Sequence, residues 1–303
     1  MAKGYLHCGA GIGLPVSNDR RTTAEPPETM VRATLSYFLM TVIALFTVAP
    51  FAWMVITSLH PSHGALPVPS HMVPARWHWE NYATVVDPIN GLPFGRFLFN
   101  TALVATCVVA GQLALCSLAG YGFARLEFPG RDGLFFLFLA TMMVPAQVTM
   151  IPAFLVVRSL GWLNTYWGLI VPGISSAFGI FLMRQFFLTL PRELDDAARL
   201  DGCTDFDIYW RIALPLSAPA LATLAAFAFI ATWTDFFWPL LVTSTTEMRT
   251  LEVGLSLFKD SFGATNWPLQ MAAAVIVLTP VLAVFLFTQR FFVRGIALTG
   301  LKG

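Results

Sequence analysis

The chain has 303 residues, 56% of them hydrophobic and only 12% charged, with a net charge of +1 and a mean hydropathy of +0.69. A soluble domain carries about 25% charge, so this composition excludes an ordinary globular protein and points to a bilayer. The near-zero net charge also excludes a bulk field that would gather nucleic acid.

Residues 1–33 mix Gly, Pro, Thr and charge without helical periodicity and read as a disordered tail. No signal-peptide core precedes residue 31, and Met30 offers an alternative start that would leave every later span intact. A helical crossing needs roughly 20 apolar residues, and six stretches qualify: about 35–57, 97–121, 134–156, 165–187, 217–241 and 269–289. The runs are continuous rather than alternating, which predicts helices and not a barrel. Pro50, Pro145, Pro152, Pro172, Pro239 and Pro280 predict kinks within them. Gly111, Gly120 and Gly122 in the second span read as ordinary close-packing positions. Asn100, Gln112, Gln147, Ser175 and Ser176 read as interhelical hydrogen bonders. The expected organisation is a tail (1–33), a six-helix membrane domain (34–290) and a second tail (291–303).

Residues 58–96 form the longest connection and include Trp77-His78-Trp79-Glu80-Asn81-Tyr82, an interfacial composition. His60, His63, His71 and His78 are spaced by 3, 8 and 7 residues with no nearby Cys. That matches no compact ligand pattern, so no metal site is expected. Of the four cysteines, Cys107 and Cys116 fall in a span, Cys8 in the tail and Cys203 beside the loop at 188–216. None lies in a segment placed outside, so no disulfide is expected. The tails and the second and fourth loops hold 13 of the 18 Lys and Arg residues, and the opposite side holds 5. The positive-inside rule then places both termini and the 188–216 loop in the cytoplasm.

That loop is a charge-dense island: Pro191-Arg192-Glu193-Leu194-Asp195-Asp196-Ala197-Ala198-Arg199-Leu200-Asp201-Gly202, closed by Arg211-Ile212-Ala213-Leu214-Pro215. Read as a helix, Leu194, Ala197, Ala198 and Asp201 share one face, and Gly202 ends it. A second short helix is expected through Phe206, Ile208, Tyr209, Trp210 and Ile212. Such a pair either lies on the membrane surface or docks a partner; periodicity alone leaves both open. In the fifth span, Trp233-Thr234-Asp235 and Trp238 surround an ionisable residue. An acid there either meets the translocation path or bonds its neighbours structurally.

The island resembles the EAA coupling loop of the permease subunits of bacterial ABC importers. Asp196-Ala197-Ala198 stand where the family has Glu-Ala-Ala, and Gly202 holds the glycine position. Shorter pieces resemble the carbohydrate-uptake, maltose/glycerol-phosphate-type branch: Gly120-Tyr121-Gly122-Phe123-Ala124-Arg125 with Phe128-Pro129-Gly130, Met143-Val144-Pro145, Leu160-Gly161-Trp162-Leu163-Asn164-Thr165, and the end at Lys302-Gly303. The resemblance implies an all-α integral membrane protein with six transmembrane helices, the type I ABC importer permease fold, in the bacterial inner membrane. It implies that Glu193, Asp196, Ala197, Ala198, Asp201 and Gly202 couple to a nucleotide-binding subunit. Trp233, Thr234, Asp235 and Trp238 are the candidate path residues, where the family often has Trp-Asn-acid-aromatic. Implied partners are a second permease in a heterodimer, two ATP-binding cassette subunits, an extracytoplasmic substrate-binding protein that the 58–96 loop helps receive, and a sugar or sugar derivative. ATP and Mg belong to the partner subunits, and no cofactor is expected in this chain.

Only three lysines occur, Lys3, Lys259 and Lys302, and none closes a phosphate-binding loop. No catalytic residue is assigned, and an integral-membrane enzyme lacks its constellation here. An ion-coupled secondary transporter is the alternative, but no internal repeat and only one intramembrane acid support it.

Overall fold

The computed structural model describes residues 27–61, 74–87, 93–261 and 266–299. The expectations on the first 26 residues, on His63 and His71, and on Lys302-Gly303 lie outside the described residues. The chain divides into residues 1–51 and residues 52–303.

Every regular element among the described residues is helical. Four stretches are long and apolar enough to cross a membrane: Thr34–Ser58, Phe94–Arg125, Tyr166–Thr189 and Trp267–Gln289. Two bent helix pairs bring the number to six. Helix α1 (Pro27–Ser58) starts before the expected boundary at 34. In the first unit it satisfies Thr41 and Thr47 internally, each hydroxyl donating to the carbonyl four residues back at 2.8 Å. No outside partner is then needed in lipid.

A short helix α2 (Glu80–Val86) follows, with Asn81 and Tyr82 at its start. The buried Asn81 amide donates to Ser58 O and His60 O at 2.8 Å each, and Tyr82 Oη meets Ser58 Oγ at 2.7 Å. The Asn81-Tyr82 pair thus fastens the chain leaving residue 58. Helix α3 (Phe94–Arg125) runs through the centre of the second unit. Asn100, buried on it, donates to Glu247 O (2.7 Å) and Arg249 O (2.9 Å) and accepts from Tyr166 Oη (2.7 Å). Gln112 donates to Gly173 O at 2.8 Å. Both are interhelical bonders, as their position in apolar runs predicts.

The third span departs from expectation. It is not one helix but α4 (Arg131–Thr141) and α5 (Ala146–Ser159), bent by 101°. Met143-Val144-Pro145 makes the corner. Pro145 has no N–H to continue the ladder and biases Val144 away from helical backbone. The turn closes instead with i−3 bonds, Met142 N–H to Leu139 O (3.0 Å), Met143 to Ala140 (3.1 Å) and Val144 to Thr141 (3.2 Å).

Gly161 (φ 71°) and Asn164 (φ 56°) then turn the chain through left-handed backbone. Asn164 Oδ1 accepts from the Ser244 and Thr245 amides at 3.0 and 3.1 Å. This explains most of the Gly161…Thr165 piece as turn chemistry. The fourth span is α6 (Tyr166–Ile170), a 3-10 turn over Val171–Gly173, and α7 (Ala177–Thr189). Ser176 caps α7 by accepting the Gly179 N–H at 2.9 Å.

The fifth span also departs from expectation. Helix α11 (Ala218–Trp233) ends before a break at 234–236, and α12 (Phe237–Val242) follows separately. Helix α13 (Leu251–Ser261) and the long α14 (Trp267–Thr299), which continues past the expected boundary at 290, complete the chain.

Helix α3 packs most extensively against α7 and α11. A Cβ on Gly120 would lie 2.7 Å from Met183 Cβ and 2.9 Å from the Arg184 nitrogen; one on Gly111 would lie 2.7 Å from Ile174 Cβ. Only hydrogen fits there, so these glycines let the backbones approach, which drives association in lipid. Gly122 meets nothing within 4 Å.

Candidate functional site

The island folds as a helix, a glycine turn and a second helix. Helix α8 (Glu193–Leu200) carries Glu193, Asp195 and Asp196 in its first turn and Arg199 in its last. Both placements suit the helix dipole. Gly202 sits at φ 84° and donates to Arg199 O (3.0 Å), while Cys203 donates to Ala198 O (3.0 Å). These two bonds close the helix in the double-bonded glycine cap expected for that position.

Thr204 starts α9 (Asp205–Ile208). Its hydroxyl accepts the Asp207 N–H, and the Asp207 carboxylate accepts the Thr204 N–H, both at 3.2 Å. The Thr204 hydroxyl also donates to that carboxylate at 2.5 Å. These bonds hold the Asp207 carboxyl below its ordinary range. The chain then widens into a π turn over Tyr209–Ala213, where Leu214 N–H reaches Tyr209 O. Pro215 cannot donate to the carbonyl four residues back, so the wider turn takes up the slack. The short helix α10 (Leu214–Leu216) leads into α11, which is bent by 77° from the Asp205–Leu216 segment.

The inner face of α8 is Asp195 and Ala198, at i and i+3. This corrects the expected face: Ala198 turns into the core beside Tyr121, Met183, Phe187 and Ile208, whereas Ala197 points outward. Glu193, Leu194, Asp196, Ala197 and Asp201 are all exposed, and Leu200 is 90% exposed. Phe206 and Trp210 extend this uncovered surface. Arg199 braces it, bonding Asp205 at 3.0 Å with Asp196 at 3.8 Å. Five of the six expected coupling residues therefore share the outer surface, and one belongs to the core.

Two residue pairs outside that set hold the island in place. Arg125, at the end of α3, pairs with Asp195 at 3.3 Å, their side chains only 4% and 11% exposed. Two adjacent acids, Asp195 and Asp196, mean that a helix must turn one toward the protein. Sequence alone does not say which. On the far side, Tyr209 Oη meets Ser117 Oγ at 2.8 Å.

The second group of candidates lies at the break between α11 and α12. Asp235 Oδ1 accepts the Trp238 N–H at 3.3 Å, which satisfies one of the free amides in the first turn of α12. Asp235 and Trp238 also line a cavity of about 300 Å³ with Thr232, Thr149, Ala146 and Gly173. Trp238 Nε1 is held by Gly168 O at 2.9 Å. Trp233 lies elsewhere: it is buried, donates to Val277 O at 3.0 Å and stacks on Phe229. Thr234 is exposed, its hydroxyl bonded to Ile230 O. The structure thus brings together two of the four path candidates, Asp235 and Trp238.

Comparison with known proteins places this architecture. Residues 116–298 match the family model described as binding-protein-dependent transport system inner membrane component. The chain is 34% identical over 280 residues to the arabinooligosaccharides transport system permease protein AraQ of Bacillus subtilis, covering 92% of this chain and 98% of that protein. It is 39% identical over 233 residues to the sn-glycerol-3-phosphate transport system permease protein UgpE of Yersinia enterocolitica, covering 76% and 83%. A chain of a bacterial ABC transporter involved in import of the acidic polysaccharide alginate superimposes with a TM-score of 0.78 at 24% identity, over 88% of this chain and 98% of the other. With that family model matched over more than half of the chain and these relatives covered along 98% and 83% of their length, this chain belongs to the family of binding-protein-dependent transport system inner membrane components.

Proposed function

We propose that this chain is the transmembrane subunit of an ATP-driven sugar importer, forming half of the translocation pathway. A second permease completes the pathway, an extracytoplasmic binding protein delivers the sugar, and two ATP-binding cassette subunits supply ATP and Mg. The EAA-type loop at 188–216 transmits their closure. The observation that supports this most directly is the outer surface of α8. Ala197 and Leu200 give it an apolar centre, with Leu200 projecting, while Glu193, Asp196 and Asp201 surround them, in a chain that otherwise carries little charge. A helix presented this way, rigidly capped at Gly202, is shaped for a groove on a soluble partner. The relatives' names support a sugar or glycerol-phosphate cargo, and the pair Asp235 and Trp238 offers a carboxylate and an indole to a hydroxyl-rich ring.

The full transporter reconstituted in vesicles tests the reading. Binding protein loaded with arabinooligosaccharides, or with another sugar that it binds, should stimulate ATP hydrolysis and drive uptake. Uptake that followed an ion gradient and ignored ATP would favour the secondary-transporter reading instead.

A further inference from the structure

Three residues on one stripe of α3, Ser117, Tyr121 and Arg125, stand at i, i+4 and i+8 and all face the island. Ser117 Oγ meets Tyr209 Oη at 2.8 Å in a buried contact. The Tyr121 ring lies between Tyr209 (5.3 Å between ring centres) and Phe187 (5.6 Å, edge to face). Arg125 pairs with Asp195 at 3.3 Å. The same guanidinium donates to Phe187 O (2.7 Å) and Leu190 O (2.6 Å), the carbonyls at the C-terminal end of α7. One cation therefore ties the end of α3, the end of α7 and the first turn of α8.

We infer that this stripe is a clamp that makes the island and the α3–α7 pair one rigid lever, with Arg125, Asp195, Ser117 and Tyr209 as positioning residues for transport. The inference rests on the coupling reading of the loop. A push on the exposed face of α8 does work on the membrane helices only if α8 does not slide over them. Exposed ion pairs yield easily, but this pair is almost fully buried and shares its cation with two carbonyls, so it resists sliding. The two ties sit at opposite ends of the island: Asp195 in α8 and Tyr209 in the π turn. A load on α8 or on Phe206 is then passed to α3 at two points rather than one, and the loop cannot pivot about a single contact. The wide turn at Tyr209–Ala213 helps to place the tyrosine hydroxyl against Ser117. The glycine contact at Gly120 lies on the same helix between the two ties and keeps α7 locked to α3.

The test uses the complete reconstituted transporter carrying Asp195→Asn or Tyr209→Phe. Docking is read separately, by cross-linking a cysteine at Ala197 to the nucleotide-binding subunit in a Cys203→Ser background. The clamp predicts full assembly and cross-linking and retained stimulation of ATP hydrolysis, but uptake per ATP reduced about tenfold or more in Asp195→Asn, the range of a lost charge-assisted bond, and about two- to tenfold in Tyr209→Phe, the range of a neutral one. Asp195→Glu should restore most of the coupling, and Ser117→Ala should add nothing to Tyr209→Phe. If Asp195→Asn does not assemble, Tyr209→Phe decides the question through a smaller, neutral change at the other tie. Unaltered uptake per ATP in an assembled, cross-linked variant would overturn the clamp alone. Failure of the Ala197→Cys, Cys203→Ser parent, with the clamp residues intact, to cross-link would overturn the coupling reading, and the clamp with it.

Discussion

Gly202 shows what one backbone angle does for the loop. At φ 84° it holds a conformation that costs other residues roughly 1–2 kcal/mol, yet a Cβ there meets nothing within 4 Å. Gly202→Asp should therefore leave assembly intact while straining the cap and adding a charge beside the exposed face of α8. Transport and ATPase stimulation should be lost at normal complex yield, and normal uptake would remove support for coupling through this loop. Asp207 gives a pH signature. Its folded carboxyl titrates below the ordinary value of 3.8 because Thr204 bonds it. The unfolded chain binds that proton more readily, so the stabilisation is complete above the ordinary value and disappears as pH falls through the lower, folded one. Amide exchange over residues 204–213 should be insensitive to pH in the neutral range, once corrected for intrinsic rates, and should accelerate only in acid. Asp235 is separable by choice of substitution. Asp235→Asn keeps an oxygen for the Trp238 amide, so it should assemble. If the carboxylate meets sugar hydroxyls, uptake affinity should weaken by roughly 10- to 150-fold. An assembled Asn variant with unchanged affinity would leave only the bond to the Trp238 amide.

At the scale of elements, the α3–α7 contact sets how well the lever holds. Gly120→Leu places side-chain atoms where Met183 Cβ and the Arg184 backbone already stand. Overpacking of this kind costs about 1–3 kcal/mol. The solubilised complex should melt earlier, while Gly122→Ala, facing open space, should melt as the parent does. Sequence pattern was sufficient for the helices themselves, since continuous apolar runs admit little else in lipid. It also identified Asn100 and Gln112 as bonders and Gly202 as a helix end. It placed a kink at Pro145 without its sharpness and did not give the break at 234–236. Pro145 and Pro152 both read as kinks, yet only Pro145 turns a corner of 101°, because Met142–Val144 can close i−3 bonds there. Pro152 stays inside α5. Nor did periodicity assign the α8 face: the 194/197/201 and 195/198 stripes are adjacent, and a buried arginine from a helix 70 residues away decides between them.

For the whole molecule, orientation rests on charge distribution, 13 basic residues against 5. A membrane-impermeant thiol reagent on intact cells should label a cysteine placed at Ala75 and not one placed at Thr204. Reversed labelling would invert the topology and remove the loop from the compartment where ATP is found. The candidate site was legible only in its local chemistry. Caps, acids and alanines are short-range signals, whereas Asp195 with Arg125 and Ser117 with Tyr209 pair residues 70 and 92 positions apart. No single stretch contains such information.

The corner at Met143-Val144-Pro145 has a further consequence for solvent. Helix α4 is about 16 Å long and α5 about 21 Å at 1.5 Å per residue, so neither alone reaches across a 30 Å hydrocarbon layer. The first amides of α5 begin where a proline has interrupted the ladder, and lipid tails offer them nothing. Ala146, the first residue of α5, borders the same cavity as Asp235. Backbone of this kind persists at membrane depth only where protein or water covers it. The corner therefore needs a polar partner for its free amides, and the cavity lined by Ala146, Thr149 and Asp235 is the place beside it where water can supply one.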